Sequence, residues 1–194
     1  MNYYNILYEK GFLDPDSDKY IWISNMNFFQ KEKFNYYLTE IYEDMIDVIP
    51  FAKTSNGDIF GWYNPDGIQS EIIVMCDHDD GESLFYAPDL CAAIFRRILE
   101  FVNEEEFSEK KSENCMSLKE LRDVLLNYIQ AFTPYFSVNY IAILNELVTK
   151  PLKLIDDGCG YKYYALLTNE EVEEILINNI SFEQLNKEFN CYEN

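Results

Sequence analysis

Three turn signals crowd the middle of the chain and restrict what their neighbours can become: Asn56-Gly57, Pro65-Asp66-Gly67 and Asp80-Gly81. Both central positions of a type I′ turn need positive φ, which Asn, Asp and Gly tolerate best, and that turn has the twist of paired strands. Around these signals lie apolar runs of strand length: VIPFA (48–52), DIFGWY (58–63), EIIVMC (71–76) and SLFYA (83–87). Parallel strands require crossovers of a dozen or more residues, so connections this short predict a four-stranded antiparallel meander. The IIVM run is apolar at every position instead of alternating, the pattern of an interior strand covered on both faces.

The cover is predicted to be helical. Between Lys33 and Met45 the apolar residues Phe34, Tyr37, Leu38, Ile41, Tyr42 and Met45 draw one helical stripe. Beyond the meander, Pro88 suits a first helical turn, and Leu90, Cys91, Ile94, Phe95, Ile98, Leu99 and Val102 repeat the stripe on a helix expected to lie on the sheet. The charged, aperiodic stretch 104–114 reads as a linker. Ser117-x-x-Glu120 is a capping box opening a helix that Pro134 ends, and another helix spans about 138–148. The segments PLKLI and KYYALL flank Asp157-Gly158 as a short second hairpin, and the boxes Thr168-x-x-Glu171 and Ser181-x-x-Gln184 predict two closing helices. The expected fold is α+β: a twisted antiparallel sheet, made of the meander plus a short C-terminal hairpin, flanked by helices. A single domain over 1–194 is expected, with a core at 33–102 and a helical and hairpin extension at 115–190.

Charge narrows the partners. The 194 residues carry 35 acidic against 15 basic side chains, a formal net charge of -20, on a chain that is 48% hydrophobic and 16% aromatic. Such a surface repels nucleic acid and anionic lipid and speeds encounter with basic proteins. Neither nucleic acid nor a membrane is therefore expected as partner. The opening NYYNILYEKGF lacks a basic n-region before a long apolar run, and the five cysteines are scattered with no C-x-x-C pair, which fits reduced thiols in a cytoplasm. The aromatic-rich segments NYYNILY and NFFQKEKFNYY are read as core.

The chain's one histidine lies in CDHDDGES (76–83). A calcium loop with Gly81 at its sixth position would need oxygen ligands where Cys76 and Ala87 stand, so that register fails. Zinc normally takes three or four His, Cys or carboxylate ligands, and no H-E-x-x-H or paired C-x-x-C pattern is present. Cys76 and His78 would share a face of a regular strand, which leaves open a small metal- or cysteine-dependent hydrolase centred on Cys76, His78 and Asp80. No G-x-G-x-x-G, phosphate-binding loop or G-x-S-x-G pattern occurs. The stretch is read as an acidic hairpin turn. No catalytic, cofactor or metal residue is assigned; the candidate partner-binding residues are Asp77, Asp79, Asp80 and Glu82 at the hairpin tip and Glu104, Glu105 and Glu106 in the linker.

Three segments carry a likeness to a known group. In IPFAKTSNGDIFGWY (49–63), Pro50-Phe51-Ala52 precedes Gly57-Asp58-x-Phe60; EIIVMCDHDDGE (71–82) runs from a strand into an acidic turn; LFYAPDLCAAIFRRILEFV (84–102) joins a short strand to an amphipathic helix. In this order and spacing the chain resembles the SUKH superfamily, which includes fungal regulators of cell-wall synthesis and bacterial immunity proteins. The resemblance implies a non-catalytic α+β binding module. For a bacterial member it implies an immunity protein holding a co-encoded toxin inactive, the toxin being basic if it acts on nucleic acid. A regulatory scaffold without a toxin is the alternative within the family. Pro50, Phe51, Gly57, Asp58 and Phe60 match the family pattern and are read as structural.

Overall fold

The computed structural model describes residues 3–43, 45–68, 70–78, 82–104, 107–109, 115–156 and 159–191, with only the backbone of Leu38 and Glu82. In chain order the elements are α1 (Tyr3–Glu9), β1 (Asn27–Phe28), α2 (Phe34–Tyr36), β2 (Val48–Lys53), β3 (Ile59–Tyr63), β4 (Ile73–Cys76), β5 (Glu82–Ala87), α3 (Leu90–Glu104), β6 (Phe107–Ser108), β7 (Met116–Ser117), α4 (Leu118–Phe132), α5 (Val138–Thr149), β8 (Lys153–Asp156), β9 (Lys162–Ala165), α6 (Asn169–Asn179) and β10 (Glu188–Asn190). The fold is α+β, as expected. The chain groups into two compact units, residues 1–97 with 180–194 and residues 98–179, and the boundary falls inside α3.

In the first unit the meander is present and longer at both edges than the turn signals foretell. Six strands run in the order β1-β2-β3-β4-β5-β10, every neighbouring pair antiparallel. A bulge at Phe51 accommodates Pro50, which has no N–H for a ladder, and Phe51 O instead accepts from Phe29 N–H at 2.9 Å. The interior strand β4 is covered on both faces as its sequence predicts. Ile73, Val74 and Cys76 have no exposed surface. On one face Tyr4 packs edge-on to Trp62 and beside Phe28 and Phe51, and the Arg96 guanidinium lies 4.0 Å from the Tyr86 ring centre while donating to Tyr86 O. The other face buries Val48, Ile59, Val74, Cys76, Phe85 and Cys191 under Tyr42, Met45, Phe182 and Phe189.

The turns divide. Asp66 (φ 54°, ψ 27°) and Gly67 (φ 73°) take the two positive-φ positions, closed by Ile68 N–H to Pro65 O at 2.9 Å, which is type I′ geometry. At Asn56-Gly57 only the glycine has positive φ, and a longer loop held by Thr54 replaces the expected tight turn. Asp80-Gly81 lies outside the described residues.

Three expectations are corrected. The stripe from Lys33 to Met45 is not one α-helix: a 3-10 turn (Lys31–Lys33), α2 and a π-helical turn (Tyr37–Ile41) follow one another. The Tyr42 N–H bonds Tyr37 O at 3.0 Å, a span of five residues that sets both rings against Phe29 (4.2 and 5.9 Å between ring centres). The Ser181-x-x-Gln184 box opens no helix; residues 183–186 form a turn, and β10 pairs with β5 because Phe182 and Phe189 find an apolar cluster on the sheet. Within the presumed linker, Phe107 is buried and Phe107–Ser108 pairs in parallel with Met116–Ser117.

The second unit folds around α4 and α5, with Leu121, Leu125, Phe132, Leu144 and Leu147 buried. Both capping boxes expected there form. Ser117 Oγ accepts from Glu120 N–H while the Glu120 carboxylate accepts from Ser117 N–H, and Thr168 and Glu171 exchange the same pair of bonds. The β8–β9 hairpin pairs Lys153 with Ala165 through to Asp156 with Lys162. No helix among the described residues is long and apolar enough to cross a membrane.

Candidate functional site

The pairing of β3 with β4 builds the acidic end of the sheet. Ile59 stands opposite Cys76 at the strand ends, so the next residues outward, Asp58 and Gly57, run alongside Asp77 and His78. Thr54 organises the approach. Its hydroxyl accepts from Gly57 N–H (3.2 Å) and Asp58 N–H (3.0 Å) and donates to Asp58 Oδ2 (3.0 Å), using both acceptor sites and its one proton. With Oδ2 so held, Asp58 Oδ1 faces His78 Nδ1 at 2.8 Å. The Asp58 side chain is 18% exposed and that of His78 39%, so the pair stands at the rim of the sheet and not in its core.

Gly57 completes the arrangement. Its φ is 111°, and a Cβ there would lie 3.3 Å from His78 Cγ, so the imidazole rests against bare backbone. Donor atoms of Asp58, Asp77 and His78 all lie within 4.8 Å of one another. These are the described residues that could share a cation. The same acceptors suit a lysine or arginine side chain presented by a protein, since carboxylate oxygens bind ammonium and guanidinium groups through charge-assisted hydrogen bonds.

Of the partner-binding candidates, Asp77 is half-buried in this group. Asp79, Asp80, Glu105 and Glu106 lie outside the described residues; of Glu82 only the backbone is placed, opposite Asn190. Glu104 is exposed and ends α3; it belongs to the second unit, whereas Asp77 belongs to the first. Asp58, read from sequence as structural, is brought into the site with Asp77 and His78, and the signal for it was the strand register, since equal-length runs on either side of a hairpin place their ends together.

Cys76 goes elsewhere. Its thiol is buried, and the interaction with Cys191 first and burial second push its pKa far above the ordinary thiol value. A cysteine nucleophile needs the reverse, an accessible thiol with a depressed pKa. His78, meanwhile, turns its Nδ1 to Asp58.

Among known proteins, no family model matches the chain, and neither a curated protein nor a solved structure matches it.

Proposed function

We propose that the chain is a non-catalytic, cytoplasmic protein-binding module that takes a basic protein on the acidic end of its sheet. The observation that carries this reading is the convergence of Asp58 and Asp77 beside His78 at the rim of the sheet, on a chain of net charge -20. Converged carboxylates offer directional acceptors for lysine or arginine, and the surrounding field raises the encounter rate. In sequence Asp79, Asp80 and Glu82 continue the acidic run from Asp77, and Glu104, Glu105 and Glu106 form a second acidic run. The resemblance to the SUKH superfamily makes the partner a co-encoded toxin and the chain its immunity protein. A toxin acting on nucleic acid presents a basic substrate face, which an acidic protein occludes by charge complementarity. Nucleic acid and anionic membranes are disfavoured as partners by the same charge.

The test is co-expression with the product of the neighbouring gene in a host that the product harms. Rescue of growth by the wild-type chain, together with loss of rescue and of co-purification in Asp58→Lys/Asp77→Lys, is the expected result. Rescue that survives both charge reversals at undiminished affinity would remove the acidic end from the interface. Absence of any growth defect would favour a scaffold without a toxin.

A further inference from the structure

On the buried face beneath the acidic end, two cysteines distant in sequence meet. Cys76 ends β4 and stands opposite Ser83 of β5, whose partner on the other side is Phe189 of β10. Cys191 follows two residues after Phe189, on the same side of its strand, and Ser83 Oγ donates to Cys191 Sγ at 2.7 Å. Cys76 and Cys191 thus both adjoin Ser83. Both have no exposed surface, and they share one cluster with Val48, Ile59, Val74 and Phe85. Cys191 O accepts from Ile46 N–H at 2.8 Å, so the residue after β10 is tied to the segment that enters β2.

We propose that Cys76 and Cys191 are a redox-modification site, closing to a reversible disulfide when a hydroperoxide oxidises them and thereby fastening β10 to the sheet. The roles of the two sulfurs follow from their surroundings. Cys191 adjoins the edge strand β10, whose release exposes it, and accepts from Ser83 Oγ, whereas Cys76 ends the interior strand β4. Cys191 is therefore the attacking thiolate and Cys76 the resolving thiol.

In the first step the Cys191 thiolate attacks one peroxide oxygen, the O–O bond breaks, and the departing hydroxide takes a proton to leave as water, giving a sulfenic acid. In the second, the Cys76 sulfur attacks the sulfenic sulfur, the S–O bond breaks, and the hydroxyl leaves as water with the Cys76 proton. Two thiols and one hydrogen peroxide become one disulfide and two waters. The pair is enclosed, so the reaction requires release of the three-residue strand β10, and reclosure brings the sulfurs together. Cys91 is buried as well, and burial first of all raises its thiol to about 12; Cys159 is exposed and lies in the other unit.

The experiment uses the full chain in a Cys115→Ser/Cys159→Ser background, reduced, freed of reductant and exposed to hydrogen peroxide. Peptide mass spectrometry is expected to find a Cys76–Cys191 linked peptide that dithiothreitol reverses. The cross-link closes a loop of about 115 residues, so the oxidised form is expected to melt about 5–15 °C higher. Cys191→Ser can still hydrogen-bond with Ser83; it is expected to lose both the cross-link and the melting shift. Sulfinic or sulfonic acid on either cysteine without a linked peptide would overturn the proposal, as would an unchanged melting shift in Cys191→Ser. Untouched thiols in peroxide at a denaturant concentration that frees β10 would overturn it equally.

Discussion

A methyl group on Gly57 would meet the His78 ring at 3.3 Å, on a backbone whose φ of 111° L side chains rarely adopt. Gly57→Ala is therefore expected to cost about 1–3 kcal/mol, and Gly57→Val more, read as a lower urea midpoint at an unchanged m-value. Thr54 offers a second residue-scale test. It is buried and its hydroxyl makes three hydrogen bonds in the Asp58 loop, so Thr54→Val should cost about 1–3 kcal/mol while Thr54→Ser costs less. Loss of partner affinity in Thr54→Val at temperatures where it remains folded would mark the loop as part of the interface. Glu171 carries a pH dependence. Burial opposes its ionisation, but Lys153 (2.6 Å), the Thr168 N–H and Lys150 together outweigh that and hold its carboxyl below the ordinary 4.5. A carboxyl depressed in the folded state stabilises above its unfolded pKa, and that contribution disappears as the pH falls through the folded value. The stability of wild type should thus fall on acidification below 4.5 more steeply than that of Glu171→Gln, measured by urea titrations across that range.

At the scale of elements, the same local signal had different outcomes depending on what lay nearby. Ser117, Thr168 and Ser181 each stand three residues before Glu or Gln, and the first two cap helices. The third does not, because Asn186 N–H and Lys187 O bond Phe85 and bring Phe189 onto the sheet, and a cap is worth only about 1 kcal/mol against the burial of two phenylalanines. Ser117→Ala is expected to destabilise by about 1 kcal/mol, whereas Ser181→Ala should change the thermal midpoint little. Strand β10 also covers the edge of β5. Truncation that removes residues 186–194 leaves that edge unpaired, and concentration-dependent association by light scattering is the expected outcome. A truncated chain that stays monomeric would show that β10 does not protect the edge.

For the whole molecule, the net charge of -20 is the property a partner meets first. Association governed by that field should slow on the order of tenfold as ionic strength rises from low to several times physiological, with the dissociation rate changing far less. Stopped-flow or surface-binding kinetics with the captured protein measure both. An association rate independent of salt would mean that shape and apolar contact, not charge, select the partner. The disulfide proposed between Cys76 and Cys191 belongs to this scale too, since it would fix the edge strand β10 to the interior strand β4.

Sequence by itself determined whatever depends on a few neighbouring residues: the meander from its turn residues and apolar runs, the burial of β4 from its uninterrupted apolar pattern, the helices from stripes and two effective caps. These are local energies, in which φ preferences, hydrogen-bonded caps and the periods of helix and strand act within one or two turns of chain. Tertiary structure decided which distant segments completed the sheet and the site. The edge strands β1 and β10, the burial of Phe107, the π-helical turn beneath Phe29, the Asp58–His78 contact and the meeting of Cys76 with Cys191 all came from competition between long-range packing and local preference. Packing prevailed in each because burying an aromatic ring or satisfying an open sheet edge outweighs any single turn or cap, and no short-range pattern records which partner will do so.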